Sequence, residues 1–131
     1  MQTRHGFRMY VDSKDQSISK VIQRDGTWAL DNIKLIGHIV KTGDNILNIG
    51  SQSGLEAIIM GKLIGPTGKL FIFEPYNFSN FLVTQNIELN SLTDRTTIYD
   101  YGASDSQHFC EISQSQIRST NPKDRKSVFY N

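Results

Sequence analysis

Cysteine is nearly missing from this chain. Cys110 stands alone among 131 residues, which excludes an intrachain disulfide and makes a reducing, cytoplasmic compartment the expectation. No apolar run approaches the roughly 20 residues needed to span a bilayer. Residues 1–16 lack the apolar core of a secretory signal. Neither charge dominates: the formal net charge is +1, so nothing in the balance calls for a phosphate backbone as partner, and no nucleic acid is expected. The three histidines, His5, His38 and His108, are scattered without ligand spacing, so no metal site is expected. Internal repeats and low-complexity tracts are also absent. What remains is 37% hydrophobic and 21% charged, an ordinary composition for one globular domain long enough to bury a core.

The chain in order alternates helix and strand patterns. Residues 7–11 (FRMYV) read as a strand or strand-like arm. Residues 16–25 read as a short helix ended by Gly26. Ala29, Ile33, Ile36 and Val40 fall at the spacing of one helical face, with Gly43 as its C-terminal cap. Ile46 to Ile49 then form a short, mostly apolar run, the pattern of a parallel strand covered on both faces. Gly50 and Gly54 bracket a turn. A helix follows with Leu55, Ile58, Ile59 and Leu63 on one side, stopped at Gly65-Pro66. Residues 69–73 form a second buried strand. Between 77 and 90, Phe78, Phe81, Leu82 and Leu89 mark another helical stripe, with Asn77 as its N-cap. Residues 96–101 give a third strand. The order α-β-α-β-α-β over 28–101 implies right-handed crossovers and a parallel sheet. Beyond it, 109–112 reads as a short strand and 113–126 as polar tail.

Three features carry chemistry. Gly50 and Gly54, with Ser51 between them, sit where a strand turns into a helix. Glycine lets the backbone approach a ligand there, and the helix start offers free N–H groups, although a plain strand-to-helix turn often holds a glycine too. Glu74 ends the second strand, 24 positions after Gly50. An acid at that point accepts both ribose hydroxyls of an adenosine, or simply caps a strand end in water. Tyr76, two residues on, lies against an adenine face or packs on the neighbouring helix. The dinucleotide fingerprint needs three glycines in six positions. The turn here, Gly50-Ser51-Gln52-Ser53-Gly54, lacks the central one, so adenosine with a small amino-acid moiety suits it better than a dinucleotide.

The segments ILNIGSQSG, LFIFEPYNFSNFLVTQNIELN and IYDYGASD, with residues 26–28 and KTGDNIL upstream, resemble the FkbM-type branch of the class I S-adenosylmethionine-dependent methyltransferases. The resemblance spans about residues 7–112; its glycine turn is generic to class I enzymes, while the Phe73-Glu74-Pro75 segment and the asparagine-rich helix are more specific. It implies a Rossmann-like α/β fold whose cofactor is S-adenosylmethionine. Residues 1–27 would be an N-terminal arm, 28–112 the cofactor-binding half-domain and 113–131 a polar tail. Gly50 and Gly54 would line the methionine part of the cofactor, Glu74 would hold the ribose, Tyr76 would sit near the adenine, and Gly102-Ala103 would form the far wall of its pocket. The family carries aspartate where this chain has Asn48, and an acid where it has Ala29. An amide at 48 keeps hydrogen bonds to the cofactor's ammonium but loses the charge attraction, so weakened binding and activity are expected. The acceptor would be a small or glycan-like molecule, and no catalytic base can be assigned. The alternative is a non-catalytic domain that keeps the fold for binding or assembly.

The family's fourth strand has no counterpart here. The expectation is therefore a Rossmann-like unit ending after its third parallel strand. The first strand would then be an exposed apolar edge. The favoured expectation is that the chain is part of a longer domain; a homodimer or partner chain paired along that edge comes second, and cover by the chain's own tail is the remaining option.

Overall fold

A computed structural model of the chain describes residues 1–105. The expected strand at 109–112, the tail after it, His108 and Cys110 lie outside the described residues. Helices α1 (Ile18–Asp25) and α2 (Leu30–Ile39) precede strand β1 (Asn45–Ile49). Then come α3 (Leu55–Leu63), β2 (Lys69–Phe73), α4 (Asn77–Leu89), a 3-10 turn (Thr93–Arg95) and β3 (Thr96–Tyr99). The strands make one parallel sheet in the order β1-β2-β3, with Ile46 beside Leu70 and Leu70 beside Thr96. None of the described helices is long and apolar enough to cross a membrane.

The sheet's two faces differ. Ile46, Asn48, Leu70, Ile72, Thr96 and Ile98 share the face under the helices, where Leu70 and Ile72 are fully buried with Ile58, Ile64, Val83 and Ile87. Helix α4 packs on β3 and α3 on β2, while α2 lies beside α3, so the helical layer runs in the same order as the strands. On the opposite face Leu47 and Ile49 are 60% and 56% exposed. Beside them Phe73, Tyr99 and Tyr101 form an aromatic cluster, with the Phe73 and Tyr99 ring centroids 4.7 Å apart. The expectation of cover on both faces is thus corrected: among the described residues β1 is covered on one face only, because every crossover helix lies on the same side.

Two further expectations shift. Helix α2 ends at Ile39, with Val40 already extended, and Gly43 serves the turn after it instead of the cap. In α4 the buried side chains are Leu82, Val83, Asn86 and Ile87, whereas Phe78 and Phe81 are 45% and 59% exposed. The residue preceding that helix as N-cap is Tyr76, not Asn77, and it makes no side-chain cap bond. The stripe is rotated because Asn86, a polar residue, occupies a core position: its Nδ2 donates to Tyr10 O (2.9 Å) and Ser53 O (2.8 Å), and its Oδ1 accepts from Tyr10 N (2.6 Å). Those bonds fasten residues 1–11 over the helices, where Phe7 and Met9 complete the core. The arm itself holds one antiparallel bridge, Gln2 with Arg8, rather than a strand.

Candidate functional site

At the carboxyl end of β1 the chain turns through Gly50, Ser51, Gln52, Ser53 and Gly54 into α3. Alternate residues take left-handed conformations: Gly50 has φ 75°, Gln52 51° and Gly54 86°. Such alternation points backbone N–H groups inward and makes a nest for an anion. The anion here is internal. Glu74, next after β2, is 5% exposed, and its Oε2 accepts from Gln52 N at 2.8 Å. Its Oε1 accepts from Tyr76 N at 3.1 Å, and the Ser51 amide also favours the charged form. Burial outweighs these donors and leaves the Glu74 carboxyl above its ordinary value of 4.5.

The site residues expected from the sequence divide as follows. Gly50, Ser51, Gly54, Glu74 and Tyr76 come together around the turn and the exit of β2. Gly54 is held tight: a Cβ there would stand 2.7 Å from Val83 Cγ2 on α4. Gly50 faces space free of other described residues and donates its N–H to Phe73 O at 2.9 Å. Asn48 lies on the helix-covered face of β1, three positions before Ser51. Its Oδ1, like Ser51 Oγ and Thr96 Oγ1, is buried without a hydrogen-bond partner among the described residues. Gly102 and Ala103, half-buried, follow β3 at the next strand exit. Asn80 joins the two exits, its Nδ2 donating to Glu74 O (3.0 Å) and Tyr99 O (3.2 Å).

Gln52, Asn80 and Asn86 are the residues that sequence reasoning passed over. Gln52 offered no signal, since it acts through its backbone. The asparagines did: both sit on the inner side of α4, six positions apart, where an apolar residue would ordinarily serve.

With phosphate excluded from a nest that a carboxylate fills, the site suits a ligand rich in donors and poor in negative charge. No family model matches the chain, and no curated protein does. Solved structures do. A SAM-dependent O-methyltransferase from Thermotoga maritima matches with TM-score 0.54 at 25% identity, over 62% of this chain and 32% of that one. The fold is Rossmann-like. A candidate rRNA-methylase from Clostridium thermocellum matches with TM-score 0.53 at 24% identity, over 55% of this chain and 39% of that one. The M. jannaschii tRNA m1G37 methyltransferase matches with TM-score 0.53 at 17% identity, over 72% of this chain and 28% of that one. The chain thus spans 28% to 39% of the length of these proteins. The three parallel strands and their helices have the α/β arrangement of methyltransferases.

Proposed function

We propose that this chain binds S-adenosylmethionine as the cofactor-holding part of a methyltransferase of the FkbM type. The observation that carries the reading is Glu74, buried against the glycine turn with a lone pair unused. Three of its acceptor positions hold the Gln52, Tyr76 and Ser51 amides, and a carboxylate has about four in all, so room remains for one ribose hydroxyl. The same contact argues against a dinucleotide, because a pyrophosphate would meet a carboxylate where it needs amides. Asn48 Oδ1 and Ser51 Oγ accept from an ammonium, which the methionine moiety carries. Gly50 leaves its backbone path clear, Gly54 lets the turn close against α4, and Tyr76 with Gly102 and Ala103 borders the adenine.

When bound, S-adenosylmethionine supplies a sulfonium methyl open to in-line displacement by an oxygen or nitrogen acceptor, so orientation of the donor carries much of the rate. This chain's share is to anchor the nucleoside at Glu74 and the amino acid at the turn. A small or glycan-like acceptor fits the net charge of +1 better than a nucleic acid does. The second reading, a binding or assembly domain without transfer activity, is favoured by the amide at Asn48 and by Ala29, where the resembled family carries acids.

Titration calorimetry with S-adenosylhomocysteine tests the reading. Measurable heat is expected for the wild type, at least tenfold weaker affinity (about 1.4 kcal/mol) for Glu74→Ala, and no heat with NAD. Silence at millimolar ligand from a folded wild-type chain would sink it. Methyl transfer by the purified chain would in turn eliminate the second reading.

A further inference from the structure

Helix α4 holds two parts of the chain that lie far apart in sequence, and one side chain serves both. Asn86, 0% exposed, offers two N–H donors and a carbonyl oxygen. Tyr10 engages both kinds of group: its N–H donates to Oδ1 at 2.6 Å, and its C=O accepts from Nδ2 at 2.9 Å. The other Nδ2 hydrogen goes to Ser53 O at 2.8 Å, inside the glycine turn. Tyr10 therefore fixes which way the amide faces. Turned over, the amide would set its oxygen against two carbonyl oxygens. With residues 1–11 lifted away, it would keep one hydrogen bond of three. Water is a poor substitute there, because Ser53 is 6% exposed. One turn earlier on the helix, Val83 packs so close to Gly54 that no Cβ fits between them. One turn later, Asn90 holds the arm as well, its Nδ2 donating to Arg8 O (2.9 Å) and to Asn86 O (2.9 Å).

We propose that Asn86 is a positioning residue for the cofactor turn, through which docking of residues 1–11 and ligand binding at residues 50–54 reinforce one another. The proposal rests on the reading of that turn as the S-adenosylmethionine cradle. The path is short. The Ser53 carbonyl and the Gly54 N–H belong to one planar peptide unit. By holding the carbonyl, Asn86 orients the N–H that donates to Ser51 O at 2.8 Å and closes the turn. The closed turn in turn sets Gln52 N against Glu74 Oε2 at 2.8 Å, the carboxylate that the ribose needs. Residues 1–11 act on the ligand only through the amide that they orient. Coupling of this kind is reciprocal: a ligand that needs the closed turn holds the arm down by the same factor by which the arm raises affinity. A mere brace would stabilise the fold and leave the affinity of the folded protein unchanged.

Hydrogen exchange and titration calorimetry with S-adenosylhomocysteine, on the wild type, Asn90→Ala and Met9→Ala, test the proposal. Neither side chain belongs to the turn, and the use of two guards against one poorly folded variant. Rates at the Tyr10, Gln52 and Gly54 amides are referred to those of Leu70 and Ile72, buried in the central strand, which follow the stability of the whole fold. On that scale all three amides are expected to exchange at least about tenfold faster in both variants. Affinity is expected to fall at least about fivefold, and saturating ligand to slow the Tyr10 amide of the wild type on the same scale. Asn90→Ala should add nothing to the loss of affinity caused by Asn86→Leu, since both act through one amide. Faster exchange at Tyr10 with Gln52 and Gly54 unchanged overturns the proposal. So does undiminished affinity in both arm variants. If the wild type gives no heat, the cofactor reading fails by itself, and exchange at Gln52 and Gly54 alone then decides whether the arm sets the turn.

Discussion

Replacing Gly54 with alanine separates two physical costs that usually arrive together. Gly54 and Gly50 both sit at positive φ, 86° and 75°. An L-residue in the left-handed region costs about 1–2 kcal/mol, partly offset by about 0.4–1 kcal/mol through the less flexible unfolded chain. Gly50→Ala, with no described residue within 4 Å of the new methyl, should therefore cost only about 1 kcal/mol. Gly54→Ala places its methyl 2.7 Å from Val83 Cγ2 in a fully packed spot. Overpacking adds about 1–3 kcal/mol, so about 2–4 kcal/mol is expected in all. Urea unfolding at constant m gives the differences directly. The clash is isolated by adding Val83→Ala, which should cost clearly less in the Gly54→Ala background than in the wild type, with a coupling of about 1–3 kcal/mol. Equal losses for the two glycines, or strict additivity with Val83→Ala, would refute the close packing of the turn against α4.

Asn86→Ala removes three hydrogen bonds at a buried position and strands the backbone groups of Tyr10 and Ser53, so a loss of about 2–4 kcal/mol is expected, with faster amide exchange across residues 1–11. Equal exchange in the two proteins would show that the arm is held by something else. Glu74 predicts a pH dependence. Its folded value is raised, so its contribution to stability is full below pH 4.5 and is lost as pH rises through the raised value. Wild type should therefore gain stability relative to Glu74→Gln as pH falls through that window. Affinity for S-adenosylhomocysteine should decline over the same range, because hydroxyl donors favour the ionised form. Parallel melting curves for the two proteins would contradict the desolvation of this carboxyl.

Much of the frame was legible in residue order. The three strands, the glycine turn and Glu74 at the exit of β2 follow from apolar runs punctuated by Gly50, Gly54, Gly65 and Pro66, since local backbone chemistry decides them. Helix α4 was not legible in the same way. A periodicity count assigns asparagine to solvent and phenylalanine to the core, whereas tertiary hydrogen bonds pull Asn86 inward and turn Phe78 and Phe81 out. The uncovered face of β1 escaped for a different reason. A run of apolar residues says that cover is wanted, and says nothing about which element supplies it. Within the site, the turn and the acid were readable singly. Their direct contact was not, because the Gln52 amide belongs to the backbone.

The bond between Tyr10 and Asn86 joins residues 76 positions apart. A contact of such long range forms late in folding, after the intervening loop has been closed. During synthesis at about 5–20 residues per second, residues 1–11 wait about 4–15 s for their dock on α4 to be made. Phe7 and Met9, buried in the finished fold, stay uncovered through that interval. The arm, which shares Asn86 with Ser53 of the glycine turn, is thus open to aggregation and to chaperones for that interval.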